Sequence, residues 1–294
     1  MIEYITGAIG LLKQALEAAI KVTGWWSKKH DVVYLQAQRM LTAFEKHEIP
    51  RQQIARILPA QFAIPMTAFS TAEKLKDVLT PALLDWTSET LCISRAWLDG
   101  MREHPHESVH VYKHPQRMHA WLQERCMATG DRTMLLHVFM EGCAADLQGV
   151  SGPFVVVFEE CFDELDRRGM SRYWVMSEGW RFEHQPCAMD LLCLMTIAES
   201  LHITSCGHDV DRRLIKKFEG GHLFAPELID KSRRRGPIIE WVPASGDDSS
   251  MTPYHQAVWR EAKERLISCG LQDTLWFDKS MVNRKMRAPA QKSP

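Results

Sequence analysis

The sequence predicts an α+β protein, an all-α N-terminal domain followed by a mixed α+β domain. Three observations predict it. Residues 31–100 carry apolar side chains at three- and four-residue steps, the mark of helices with one buried face. Beyond residue 117 short runs rich in Val and Phe alternate with helical stretches. Between the two lies a polar segment, 101–117, with His104, His106, His110, His114, Pro105 and Pro115, where the periodicity lapses. Bulk composition agrees with a globular chain. With 294 residues, 45% hydrophobic and 25% charged, disorder, collagen and a coiled-coil rod are excluded, and the length suits about two domains. A net charge of -1 gives no global basic field, so any hold on nucleic acid has to use a local patch.

Taken in order, residues 1–30 read as an amphipathic helix, with Ile5, Ile9, Leu12, Leu16, Ala19 and Ile20 on one stripe and Lys13, Glu17 and Lys21 off it. That stripe suits docking on its own domain, on a second copy or at a membrane interface. Charges recur too often for a membrane span. Helices are expected at 32–45 and 51–58, the latter opened by Pro50, whose fixed φ and missing N–H suit a first turn. Further helices fall within 67–79 and over 81–90, with a closing turn at 94–100. In the region 118–280, helices are expected at 115–127, 186–201, 211–218 and 254–269. Strands are expected at 134–140, 154–159, 202–206 and 237–242, with a strand pair within 171–183 around Glu178-Gly179. The tail 281–294 is basic, contains Pro and reads as disordered.

Two strings carry a family resemblance. Arg51-Gln52-Gln53-Ile54-Ala55-Arg56-Ile57-Leu58 looks like the second helix of a helix-turn-helix domain. The stretch 84–100 places Leu84, Leu91, Ile93, Ser94, Trp97, Leu98 and Gly100 where such domains close. Over about 33–100 the chain resembles the Cro/phage-repressor (XRE-like) helix-turn-helix family, fused to an unrecognised C-terminal domain. The resemblance implies a repressor-like transcription regulator that binds double-stranded DNA as a homodimer. It places Arg51, Gln52, Thr67, Ser70, Thr71, Lys74 and Lys76 on the DNA-binding face.

Other residues were weighed for chemistry. His104, His106, His110, His114 and His119 could hold a metal ion, but two prolines and the lack of a companion Cys pair make a solvated linker the better reading. Cys206-Gly207-His208-Asp209 reads as a buried cysteine at a strand end rather than a nucleophile beside its base. Glu159, Glu160, Asp163, Glu164 and Asp166 read as the polar face of a helix following a strand. Arg212, Arg213, Lys216 and Lys217, with Arg233-Arg234-Arg235, read as a solvated basic face. Trp174, Trp180, Phe182 and Trp241 suit a core or the lining of a pocket for a small ligand. No phosphate-cradling or hydrolase motif occurs, so no catalytic residue, metal or cofactor is expected, and no enzyme. Eight cysteines without a CxxC pair fit a reducing compartment, hence a cytoplasmic protein. The expected function is a DNA-binding transcriptional regulator whose C-terminal domain senses a ligand or dimerises. The alternative is an adaptor whose helical domain docks a protein, favoured by the apolar join 59–66.

Overall fold

The computed structural model describes residues 31–129, 133–142, 150–165, 168–238, 241–242 and 251–275. The expected N-terminal helix and basic tail lie outside the described residues. Helix α1 (Val32–Lys46) begins where Asp31 accepts the Tyr34 N–H, and it buries Ala37, Met40, Leu41 and Phe44. Helix α2 (Arg51–Ile57) follows Pro50, as the sequence predicts.

The single helix expected within 67–79 is instead a 3₁₀ turn, Met66–Ser70, and a five-residue α3 (Ala72–Lys76) capped by Thr71. Pro65 sets the first break. Thr71, extended at φ -146° and used as a cap, sets the second. Helix α4 (Pro81–Leu91) is capped by Thr80 and stopped at Cys92 in the left-handed region, φ 53°, and α5 (Arg95–Leu98) closes the group. Their shared core includes Phe44, Ile54, Phe69, Leu75, Leu83, Leu91 and Leu98. The apolar join has a structural cause. Phe62 tilts against Trp86 at 6.0 Å, Trp86 stacks on Phe44 at 5.8 Å, and Phe62 and Ile64 pack on the same core.

Helix α6 (Pro115–Thr129) leads into a five-stranded sheet of order β3-β2-β1-β4-β5. Strands β1 (Met134–Met140), β2 (Phe154–Leu165) and β3 (Arg168–Val175) form an antiparallel meander. Helix α7 (Gln185–Ser200) carries the chain over to β4 (Thr204–Asp209), which lies parallel to β1. Helices α8 (Arg212–Glu219) and α9 (Ala225–Lys231) precede β5 (Arg233–Pro237), and α10 (Pro253–Ser268) ends the ordered elements.

Three expectations are corrected here. Strand β2 runs on to Leu165, so Glu159 and Glu160 stand on a strand and not on a following helix. The expected strand pair within 171–183 keeps only its first half; 176–183 is irregular apart from the Pro153–Arg181 bridge. The basic triplet Arg233-Arg234-Arg235 falls on edge strand β5, while of the described residues of 237–242, expected as strand, only Pro237 belongs to it. Helix α9 was not foreseen.

Period-2 alternation sends Leu136, Val138, Met140, Val156 and Phe158 to one face of the sheet and His137, Phe139, Val155, Val157 and Glu159 to the other. The first face packs against α6, α7 and α10 in the largest core. Helix α7 has no polar side; even Asp190 is fully buried, held by Arg265 at 2.7 Å and by the Lys113 N–H at 2.6 Å. The second face lies under α8 and α9, with Ile215, Phe218, Leu223 and Leu228. The helical domain meets this side through Phe224, just ahead of α9, which belongs to its core together with Met170 of β3.

Candidate functional site

The seven residues expected on the DNA-binding face do not all meet. Arg51 opens α2, its Nε 2.6 Å from Glu45 and its Nη1 donating to the Ser70 carbonyl at 3.0 Å, which fastens α2 to the 66–70 turn. Ser70 Oγ donates to the Thr67 carbonyl at 2.7 Å, and Thr71 Oγ1 accepts the Lys74 N–H at 3.3 Å. Arg51, Thr67, Ser70, Thr71 and Lys74 therefore form one hydrogen-bonded neighbourhood, in which Thr67, Ser70 and Lys74 are exposed; Gln52, next to Arg51 on α2, is exposed as well. Lys76 is drawn off to Asp31, 2.8 Å away at the start of α1. That hydrogen bond holds the Asp31 carboxyl below its usual range and the Lys76 ammonium above its own.

A second constellation lies on the sheet face beneath α8 and α9, and the sequence did not point to it. Tyr173 on β3 donates to Glu159 Oε1 on β2 at 3.1 Å. Glu159 Oε2 is 2.7 Å from His137 Nε2 on β1, and His137 Nδ1 is 2.9 Å from His208 Nε2 on β4. His208 Nδ1 reaches Ser232 Oγ at 2.7 Å, whose proton goes to the Ile229 carbonyl at 2.8 Å. With the Ser232 proton so committed, His208 donates from Nδ1 and accepts at Nε2. Burial raises the Glu159 carboxyl, but the His137 contact, with Ser171 and Tyr173, outweighs it and leaves the group below its usual range. The chain links four strands and the α9–β5 junction through polar groups, each with a partner. His137 and His208 also stack on Phe139, at 6.0 and 4.6 Å.

Two more histidines sit where the helical domain meets this face. His47, 5% exposed at the end of α1, bonds the Ala43 carbonyl through Nδ1 at 2.7 Å. Burial pulls its pKa down to about 4. His106 is 3% exposed, so the reading of 101–117 as a wholly solvated linker fails for this residue. Its Nε2 accepts the Ala225 N–H at 2.8 Å, and its ring packs against those of Phe218, Phe224, Tyr173 and His47 at 5.5 to 6.3 Å. Among the described residues no group of three or more His, Cys, Asp or Glu is arranged to hold a metal ion.

Three cavities lie in this part of the molecule, the third of them reaching the helical domain at His47 and Glu48. One of 540 Å³ lies between 102–108, the ends of β2 and β3, and α8, and includes His106 and Phe218. A second, of 510 Å³, adjoins it across Glu178 and Gly179 and takes in His110, His114, Tyr112 and Trp180, so Trp180 does line a pocket. The third, of 290 Å³, is bounded by His47, Ser171, Tyr173 and Glu159, where the polar chain ends. Trp174 and Trp241 belong to the core on the other face. Cys206 is fully buried on β4, as the sequence suggested.

Fold and sites together define an α+β protein in which a small helical domain is seated on the polar, cavitied face of a mixed sheet. Comparison of the chain with protein-family models, curated proteins and solved structures finds no match. No described helix is long and apolar enough to cross a membrane.

Proposed function

We propose that this chain is a cytoplasmic DNA-binding transcriptional regulator, acting as a homodimer, whose α+β domain responds to a small ligand. The observation that carries the reading is the fastening of α2 to the 66–70 turn through Arg51 and Ser70, which holds the start of α2, with exposed Gln52, to the turn that carries exposed Thr67 and Ser70. Side chains of these types reach phosphates and base edges in helix-turn-helix proteins. The Arg51–Glu45 pair is exposed, and such pairs contribute only about 0.2–1 kcal/mol, so a phosphate can take the guanidinium from Glu45. Cavities at the domain junction supply the place where a ligand would act. The test is fluorescence anisotropy of the full chain with short duplexes from its own upstream region at two salt concentrations. Selective binding that falls steeply with salt supports the reading, and flat, unselective binding ends it.

A specific observation favours a second reading, an adaptor that docks a protein. Lys76 is already neutralised by Asp31, and α3 is little more than one turn long. Under that reading a protein partner is retained in pull-down while duplex DNA is not.

A further inference from the structure

We infer that the 510 Å³ cavity is a covalent binding site, in which the Cys187 thiol takes a small anionic electrophile and His184 takes the thiol proton. Cys187 lies in the first turn of α7, and His184 stands just ahead of that helix. Their side chains meet, His184 Nδ1 lying 3.2 Å from Cys187 Sγ, and both residues line the cavity. Tyr112 lines it too, and burial and the neighbouring Cys187 raise its hydroxyl, so it keeps its proton. The sulfur thus has a base on one side and an O–H donor near it, and both of those side chains wall the cavity. A thiol attacks as its thiolate. In the step inferred here the sulfur electron pair forms a bond to carbon, the carbon releases its leaving group with the bonding pair, and the thiol proton passes to His184 Nδ1. Acyl turnover suits the site poorly. The Cys187 N–H, which would meet an oxyanion, already donates to the His184 carbonyl at 2.8 Å. A stable thioether is the product that fits.

The rest of the wall sets the charge of the reagent. Arg117, exposed on α6, brings a permanent positive charge, and His110, His114 and His184 add imidazoles, against the single carboxylate of Glu178. Lys113 adds an ammonium 4.9 Å from the centre of the Tyr112 ring. Helices α6 and α7 both begin at this cavity, one just after His114 and the other just after His184, and their positive ends favour an anion further. Asp190, buried on α7, does not offset this, because Arg265 holds it at 2.7 Å and the Lys113 N–H at 2.6 Å. The adjoining 540 Å³ cavity has no such bias, with Arg102 and His104 set against Glu178 and Glu219. Val109, Val111, Met176 and Trp180 supply apolar wall for a short carbon body. The volume falls within the usual range for small-molecule sites.

This inference deepens the ligand-responsive half of the proposed function and rests on it for the consequence of binding, but the reaction itself is measured without DNA. Iodoacetate is the probe and iodoacetamide its neutral comparator, each applied to the full chain, with alkylation followed by peptide mass mapping. Glutathione, treated in parallel, sets the rate ratio of the two reagents for a thiol in open water. Cys187 should be carboxymethylated before the more open Cys92, Cys126, Cys161 and Cys269. Its ratio of iodoacetate to iodoacetamide rates should exceed that of glutathione by about tenfold, the low end of what a charged cleft gains by concentrating an ion. Arg117→Gln should bring the ratio back toward that of glutathione. His184→Gln should slow both reagents about tenfold, since an unassisted thiol is only a few per cent thiolate at pH 7. A histidine that merely caps α7 would leave the iodoacetamide rate where it was. Should either variant fail to fold, the order of labelling and the ratio in the unsubstituted chain still decide. The inference is overturned if Cys187 is labelled after the more open cysteines, if its ratio matches that of glutathione, or if Arg117→Gln leaves the ratio unchanged. Those results leave the DNA reading untouched, since that depends on the duplex titration alone.

Discussion

The two faces of the sheet are built by opposite rules. Against α6, α7 and α10 the strands present Leu136, Val138, Val156 and Phe158, and the contact is apolar nearly throughout. Toward α8, α9 and the helical domain the same strands present His137, Glu159, Tyr173 and His208, joined in a hydrogen-bonded chain and bordered by cavities. Alternation along β1 puts both rules on neighbouring residues. Tight apolar packing leaves no room for a ligand and little reason for one. A polar face has to give each buried donor and acceptor a partner, and here cavities border it.

Substitution at adjacent positions of β1 measures the contrast. Leu136→Ala removes a fully buried side chain from the apolar face and should cost about 3 kcal/mol or more in urea unfolding. His137→Leu, one residue on, keeps the volume but strands Glu159 and His208; it should cost about 2–3 kcal/mol, discounted because Glu159 keeps some contact with water. A cost near zero for His137→Leu would show the polar chain to be replaceable by packing and would break the comparison.

Acidity should act on the polar side through its buried histidines. His47 titrates near 4 in the folded chain against an ordinary 6.5, so the unfolded state binds its proton more tightly. Stability from this group is complete above pH 6.5 and is lost as pH falls toward 4. Between pH 7 and 5 the loss from His47 is about 2 kcal/mol, and His106, shifted the same way, adds to it. Unfolding at both pH values should show a slope that His47→Gln reduces. The smallest effect belongs to the surface of the helical domain. Arg51→Gln should change stability by less than about 1 kcal/mol while weakening duplex binding and its salt dependence, as anisotropy would show.

Most of the helices could be read from the sequence because their signals are local. Periodic apolar residues gave their course, and Pro50, Thr80, Pro81, Asp211 and Thr252 stand at or beside their starts. Strand β5 could not be read that way, since its arginines resemble a charged surface until β4 is known to pair with it. The His137–His208 contact joins residues 71 apart, and Ala225 reaches His106 across 119. No periodicity encodes such meetings. One trace was visible nonetheless: a histidine in the middle of the apolar run Leu135-Leu136-His137-Val138-Phe139 needs a partner if the run is buried. The expected DNA-face residues were half gathered for a comparable reason, because Asp31, which draws Lys76 aside, lies 45 positions before it.

Met170 and Phe224, which complete the core of the helical domain, impose an order of events on the newborn chain. The five helices of 32–98 leave the ribosome long before Phe224 is made, and until then their apolar surface stays partly open. At about 5–20 residues per second of synthesis, that interval lasts several seconds or more. A nascent chain in this interval is a natural client for a chaperone. A fragment ending near Gly100 would remain in that unfinished condition for good.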